Sequence, residues 1–156
     1  MLKLEIISIG TAYPTWIKEG LNEYQKRLAN ECKLSLREIP IVKNNKKASL
    51  QEKKIEEGKR IESLIDRSSY IIAMDQHGAQ WTSEILAKKL ISWSLDRSRF
   101  QFLIGGSEGL SASLLDRSDV IWSLSKMTLP HALARLVLIE QLYRAFMINN
   151  KHPYHR

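Results

Sequence analysis

The chain has 156 residues, enough for one compact domain, and its 44% hydrophobic and 26% charged residues exclude a disordered or fibrous protein. A single cysteine, Cys32, excludes an internal disulfide framework and a multi-cysteine zinc site, and no apolar run approaches the ~20 residues that cross a bilayer. The net charge of +7 gathers at the ends: residues 1–60 carry 13 Lys and Arg against 8 Asp and Glu, residues 121–156 carry 5 against 1, and the middle carries 6 against 8.

The opening, MLKLEIISIG, is too short for a signal peptide, so a cytoplasmic protein with one domain over residues 1–156 is expected. Lys3–Ile9 is apolar and isoleucine-rich, the composition of a buried strand. After Gly10 and Pro14, residues Trp16, Ile17, Leu21, Tyr24 and Leu28 recur at helical spacing, with Thr15 or Pro14 opening the helix. Cys32 is expected at the end of a helix, as a bystander. Leu34, Leu36 and Ile39 alternate with polar residues up to Pro40, which predicts a second strand. The basic stretch 43–47 reads as an exposed loop. Ser49 to Asp66 reads as a charged helix whose stripe is Leu50, Ile55, Ile61, Leu64 and Ile65.

The second half repeats the alternation. Tyr70–Met74 is a short, continuously apolar run, the pattern of a central parallel strand. Thr82 or Ser83 caps a helix carrying Ile85, Leu86, Leu90, Ile91 and Trp93. Phe100–Ile104 is the next strand and runs into Gly105-Gly106-Ser107-Glu108-Gly109. A brief helix at Ser111–Arg117 leads to a strand at Val120–Leu124, and Pro130, at the first helical turn, starts a long helix to about Ile148. The tail is Asn149–Arg156. Five strands alternating with helices spell an α/β domain with a mainly parallel sheet flanked by helices.

In such a sheet ligands bind beyond the carboxyl ends of the strands. Three strand–loop junctions qualify: Met74 to Gly78, Gly105 to Gly109, and Leu124 to Pro130. Neighbouring strands would bring them to one pocket. The glycine segment fits neither G-x-G-x-x-G nor a phosphate-binding loop, which argues against a dinucleotide or nucleoside triphosphate. Paired glycines offer close backbone approach to a ligand, although taken alone they read first as an ordinary tight strand–helix turn. The loop Ser123–His131 is neither glycine-rich nor strongly polar. It offers main-chain groups to a purine while Met127 and Leu129 pack on the ring, or else it is a buried crossover. His152 and His155 make a poor metal pair, because Pro153 breaks the helical face and no acidic partner is near, so no metal is expected. The dense tail, NNKHPYHR, suits a flexible base-stacking or proton-handling arm, or a frayed end.

Three pieces then combine: LIGGSEGL (Leu103–Leu110), SLSKMTLPHALAR (Ser123–Arg135) and HPYHR (His152–Arg156). Their order and spacing resemble the RlmH family of SPOUT-superfamily methyltransferases, which methylate a pseudouridine in large-subunit ribosomal RNA. The resemblance runs the length of the chain. It implies a SPOUT-type α/β knot, with a trefoil knot in the C-terminal part, a homodimer, and S-adenosylmethionine as methyl donor. It further implies that Met74, Gly106 and Ser125, Lys126, Met127, Thr128, Leu129 and Pro130 hold the donor, largely through backbone groups.

The substrate so implied is N3 of a pseudouridine in 23S rRNA on the assembled ribosome, whose imide must lose a proton before attack. His155 is the first candidate for the base. Arg135, Arg144 or Arg156 would stabilise the anion, and Tyr154 would stack on or orient the nucleobase. The basic ends suit such a polyanion, since Lys and Arg at phosphates release counterions. A methyltransferase acting on tRNA and a non-catalytic ribosome-binding factor are the rival readings.

Overall fold

The computed structural model describes residues 1–43 and 49–156. Its elements are β1 (Leu2–Ile9), α1 (Thr15–Leu28), β2 (Cys32–Ile39), α2 (Leu50–Glu62), β3 (Tyr70–Gln80), α3 (Ser83–Ser94), β4 (Arg99–Ile104), α4 (Ala112–Arg117), β5 (Val120–Ser123) and α5 (His131–Asn149). The five strands form one sheet in the order β2-β1-β4-β3-β5, and every described pairing is parallel.

The handedness of the crossovers explains where each helix lies. Connections running toward β2 carry α1 and α3 on one face, while those running toward β5 carry α2 and α4 on the other. The β4–α4–β5 connection therefore passes over β3. Helix α5 returns on the first face, packed between α1 and α3.

Strand residues alternate between the two layers. Leu4, Ile6, Ile72, Phe100, Phe102, Ile104 and Trp122 join the buried faces of α1, α3 and α5. Ile7, Ile9, Ile71, Ala73 and Leu103 join Ile61, Leu110 and Leu114 on the other side. A sheet covered on both faces needs strands that are apolar throughout, as β1 and β4 are.

Several local expectations shift. Strand β3 does not stop at Met74 but continues to Gln80. Pro14 and Pro130 sit at the N-cap positions of α1 and α5, and Thr82 caps α3 by accepting from Ile85 N–H. Helix α2 ends at Glu62, and Leu50 and Ile55 face solvent; its buried stripe is Glu57, Gly58 and Ile61, with Leu64 and Ile65 half-buried beyond the helix. Ile85, Ile91 and Trp16 also face outward. Cys32 opens β2 instead of closing a helix, and burial pushes its thiol up to about 12, which makes it inert. Of the basic stretch 43–47, all but Lys43 lies outside the described residues.

Candidate functional site

Because β3 lies between β4 and β5, all three carboxyl-end segments meet at one edge. Met74 is paired with Ile104 on one side and Trp122 on the other. The segment after it is not a free loop. The strand bulges between Met74 and Ala79 and then rejoins β5 through Ala79–Trp122 and Gln80–Ser123. Gly78 makes this possible: a Cβ there would fall 2.7 Å from Trp122 backbone atoms.

The next segment is a closed turn. Gly109 N–H donates to the Gly106 carbonyl at 3.0 Å, and Gly109 holds φ at +78°. A Cβ on Gly105 would collide with the Gly109 carbon and lie 2.6 Å from its oxygen, so the turn closes only over glycine. Gly105 and Gly106 are buried, whereas around Gly109 the space is open.

The third segment is held at its root and open at its tip. Ser123 Oγ donates to the Ser125 carbonyl at 3.0 Å, and Ser125 Oγ accepts from Met127 N–H at 2.9 Å. Lys126, Met127, Thr128 and Pro130 are exposed and Leu129 is half-buried. Met127 is an apolar side chain left 78% exposed, so this loop does not fill the core as a buried crossover would.

Arg135 is placed on the inner side of this edge, not beside the tail. It is 4% exposed, and its Nη2 donates to the carbonyls of Ile9 at 2.6 Å and Gly10 at 2.9 Å, clamping the end of β1. Its guanidinium lies over the Tyr13 ring, whose hydroxyl donates to Glu38. Burial, followed by that carboxylate, raises the Tyr13 pKa.

The tail is neither frayed nor a free arm. Lys151, with φ of 55°, turns the chain back along α5. Tyr154 then donates to Glu140 at 3.0 Å, meets the Tyr24 hydroxyl at 3.1 Å, and packs edge-on against Tyr143. Burial, Tyr24 and Glu140 together drive its pKa up.

His155 sits between Arg144 Nη1, 3.3 Å from Nδ1, and Glu84 Oε1, 2.8 Å from Nε2. Arg144 only donates and Glu84 only accepts, so the neutral ring carries its proton on Nε2. Glu84 lies in the first turn of α3; its own backbone N–H, then His155, holds its carboxyl below the ordinary range. Hydrogen bonding to Glu140 raises the Arg144 pKa. Arg156 is exposed.

Arg135 and Arg144 lie nine residues apart on α5, about 13 Å along its axis, so they serve different places. The sequence gives no functional role to Glu140, Glu84, Glu57 or Tyr24, the last of which it shows only in the helical stripe of α1. The spacing of Glu140 and Arg144 on one helix marked the first, and the position of Glu57 four residues before Ile61 put it on the buried face. Glu84 and Tyr24 carried no local signal. Among the described residues no group of three His, Cys, Asp or Glu forms a metal site, and no helix is long and apolar enough to cross a membrane.

The family described as "Predicted SPOUT methyltransferase" matches residues 2–155. The chain belongs to the SPOUT methyltransferase family. It is 43% identical over 156 residues to "Ribosomal RNA large subunit methyltransferase H" of Legionella pneumophila (strain Paris), covering 100% of both chains. Among solved structures it is similar to a probable methylase family protein from Haemophilus influenzae Rd KW20, with a TM-score of 0.56 at 15% identity, covering 98% of this chain and 70% of that one. That likeness concerns the fold, and it agrees with the parallel sheet described above.

Proposed function

We propose that this SPOUT methyltransferase transfers the methyl group of S-adenosylmethionine to N3 of a pseudouridine in 23S rRNA of the large ribosomal subunit. The observation that carries this reading is the full-length similarity to a ribosomal RNA large subunit methyltransferase, joined to a carboxyl edge where the three segments that follow β3, β4 and β5 meet. The C-terminal trefoil knot, the homodimer and recognition of assembled ribosomes belong to the same reading. The connection that carries β4 over β3 to β5 is consistent with the knot.

The edge fits an adenosyl ligand. A glycine turn with no room for a Cβ at Gly105, open space outside Gly109, exposed residues at 126–128 and the solvent-facing Met127 supply close approach, main-chain hydrogen bonds and apolar cover. Met74, Gly106, Ser125, Lys126, Met127, Thr128, Leu129 and Pro130 would hold it. When bound, the donor supplies an electrophilic methyl group on a sulfonium, which calls for alignment and no metal.

The docked tail supplies groups suited to the nucleophile. His155 Nδ1 is the nitrogen able to accept the imide proton, and Glu84 on Nε2–H stabilises the imidazolium that results. Arg144, released from Nδ1, is then beside the imide anion. Tyr154 fixes the tail through Glu140 and Tyr24. Arg135 acts as a positioning residue, since two of its contacts are backbone carbonyls.

The test is mass spectrometry of large-subunit RNA nucleosides from a strain lacking this protein. Loss of one methylated pseudouridine, restored by the gene, is expected; an unchanged spectrum overturns the reading. Equal activity on naked rRNA and on ribosomal particles would overturn the assembled-ribosome part alone.

A further inference from the structure

Among the described residues Glu57 carries the single buried carboxyl group, 4% exposed, on a helix otherwise covered with solvated charge. Its neighbour Gly58 lets α2 lie against the Ser111 hydroxyl, where a Cβ would come within 2.7 Å of Oγ. That approach drives the Glu57 side chain beneath the glycine turn. A Cβ built on Gly106 would stand 2.5 Å from Glu57 Oε2 and 3.3 Å from Ile9. The other oxygen, Oε1, is buried and has no hydrogen-bond partner among the described residues.

Glu108 lies exposed on the outer side of the same turn, and its charge adds to the burial that raises the Glu57 pKa. Lys53 and Arg60 of α2 and the Val42 N–H oppose that rise without cancelling it. A buried carboxyl group with one oxygen left without a partner is costly, which makes its presence at a ligand edge informative. The place matters too. Strands β1 and β4 are neighbours that send their connections in opposite directions, the switch point at which open α/β sheets take their ligands, and Ile9 and Gly105–Gly106 follow the paired ends of those two strands.

We propose that Glu57 and Glu108 form an anionic wall behind and beside Gly106 that recognises the positive sulfonium charge of the methyl donor. The inference rests on the donor reading given above. No direct contact is required, because Coulomb attraction falls slowly with distance inside a weakly polarisable protein. S-adenosylmethionine and S-adenosylhomocysteine share adenine, ribose and amino-acid groups and differ by one methyl group and the charge on sulfur. Their relative affinity isolates what the wall reads.

Calorimetric titration of the wild-type protein, Glu57→Gln and Glu108→Gln with both ligands tests the wall, with thermal melting as a check on folding. Each substitution is expected to weaken S-adenosylmethionine about tenfold while leaving S-adenosylhomocysteine within about twofold. Equal loss of both ligands, or loss of neither, overturns the proposal. A wild-type protein that binds neither compound overturns the donor reading itself, so the two failures are distinct. Should Glu57→Gln not fold, the exposed Glu108→Gln and Glu108→Lys decide the matter, with the larger loss expected for lysine.

Discussion

Arg135 donates to the carbonyl oxygen of Ile9 at 2.6 Å, tying the start of the last helix to the end of the first strand. The two residues are 126 positions apart, and the bond is buried. Arg135→Met removes the donor and leaves the Ile9 and Gly10 carbonyls without this partner. A loss of about 2–4 kcal/mol in chemical denaturation is expected, with Arg135→Lys intermediate. Unchanged stability in Arg135→Met would return this residue to the list of groups that act on substrate.

The glycine turn separates two kinds of cost. Gly105→Ala sets a Cβ against the Gly109 backbone, which has no flexible end to move aside. About 3 kcal/mol of destabilisation and loss of donor binding are expected. Gly109→Ala meets open space and carries only the strain of φ at +78°, about 1 kcal/mol. Equal stability of the two variants would show that the turn tolerates widening.

Tail removal should separate chemistry from donor binding. Deleting residues 152–156 takes away His155 and Tyr154, and turnover should fall by about a hundredfold or more. Donor affinity, measured by calorimetry, should stay within about threefold, since the three strand-end segments that would hold the donor do not include the tail. Full turnover in the truncated protein would remove the catalytic role from His155. Glu84→Gln should lower turnover by a smaller factor, because a neutral amide still accepts from Nε2–H but no longer balances an imidazolium.

Glu57 makes stability depend on pH in a definite direction. Burial raises its folded-state pKa above the ordinary value of 4.5, so the folded protein binds the proton more tightly than the unfolded chain. Its contribution therefore weakens stability as pH rises from the ordinary value through the raised one. Glu57→Gln removes that penalty. Denaturant midpoints should converge for variant and wild type near about pH 4 and diverge, with the variant more stable, near about pH 8. A variant less stable at high pH would mean that the carboxylate is paired. Gained stability with lost donor discrimination would be the familiar cost of a functional buried charge.

The sequence determined the α/β class, the chain order of its elements and the segments proposed to hold the donor, because these are local properties. Apolar runs such as Tyr70–Met74 and the 3.6-residue period around Leu21 and Leu28 act over a few residues. The glycine turn and the loop at Ser125–Pro130 were legible for the same reason. Tertiary structure decided the rest. Strand β3 runs on past Met74 because β5 lies beside it, a pairing invisible along the chain. Leu50 and Ile55 face solvent while Glu57 is buried, because the side α2 presents is fixed by how closely Gly58 approaches Ser111. The tail gave its residue types but not its conformation, since Glu84, Glu140 and Tyr24 reach it only through the packing of three helices. Contacts between distant residues depend on how faces meet, and hydrophobic period alone does not encode which polar groups those faces bring together.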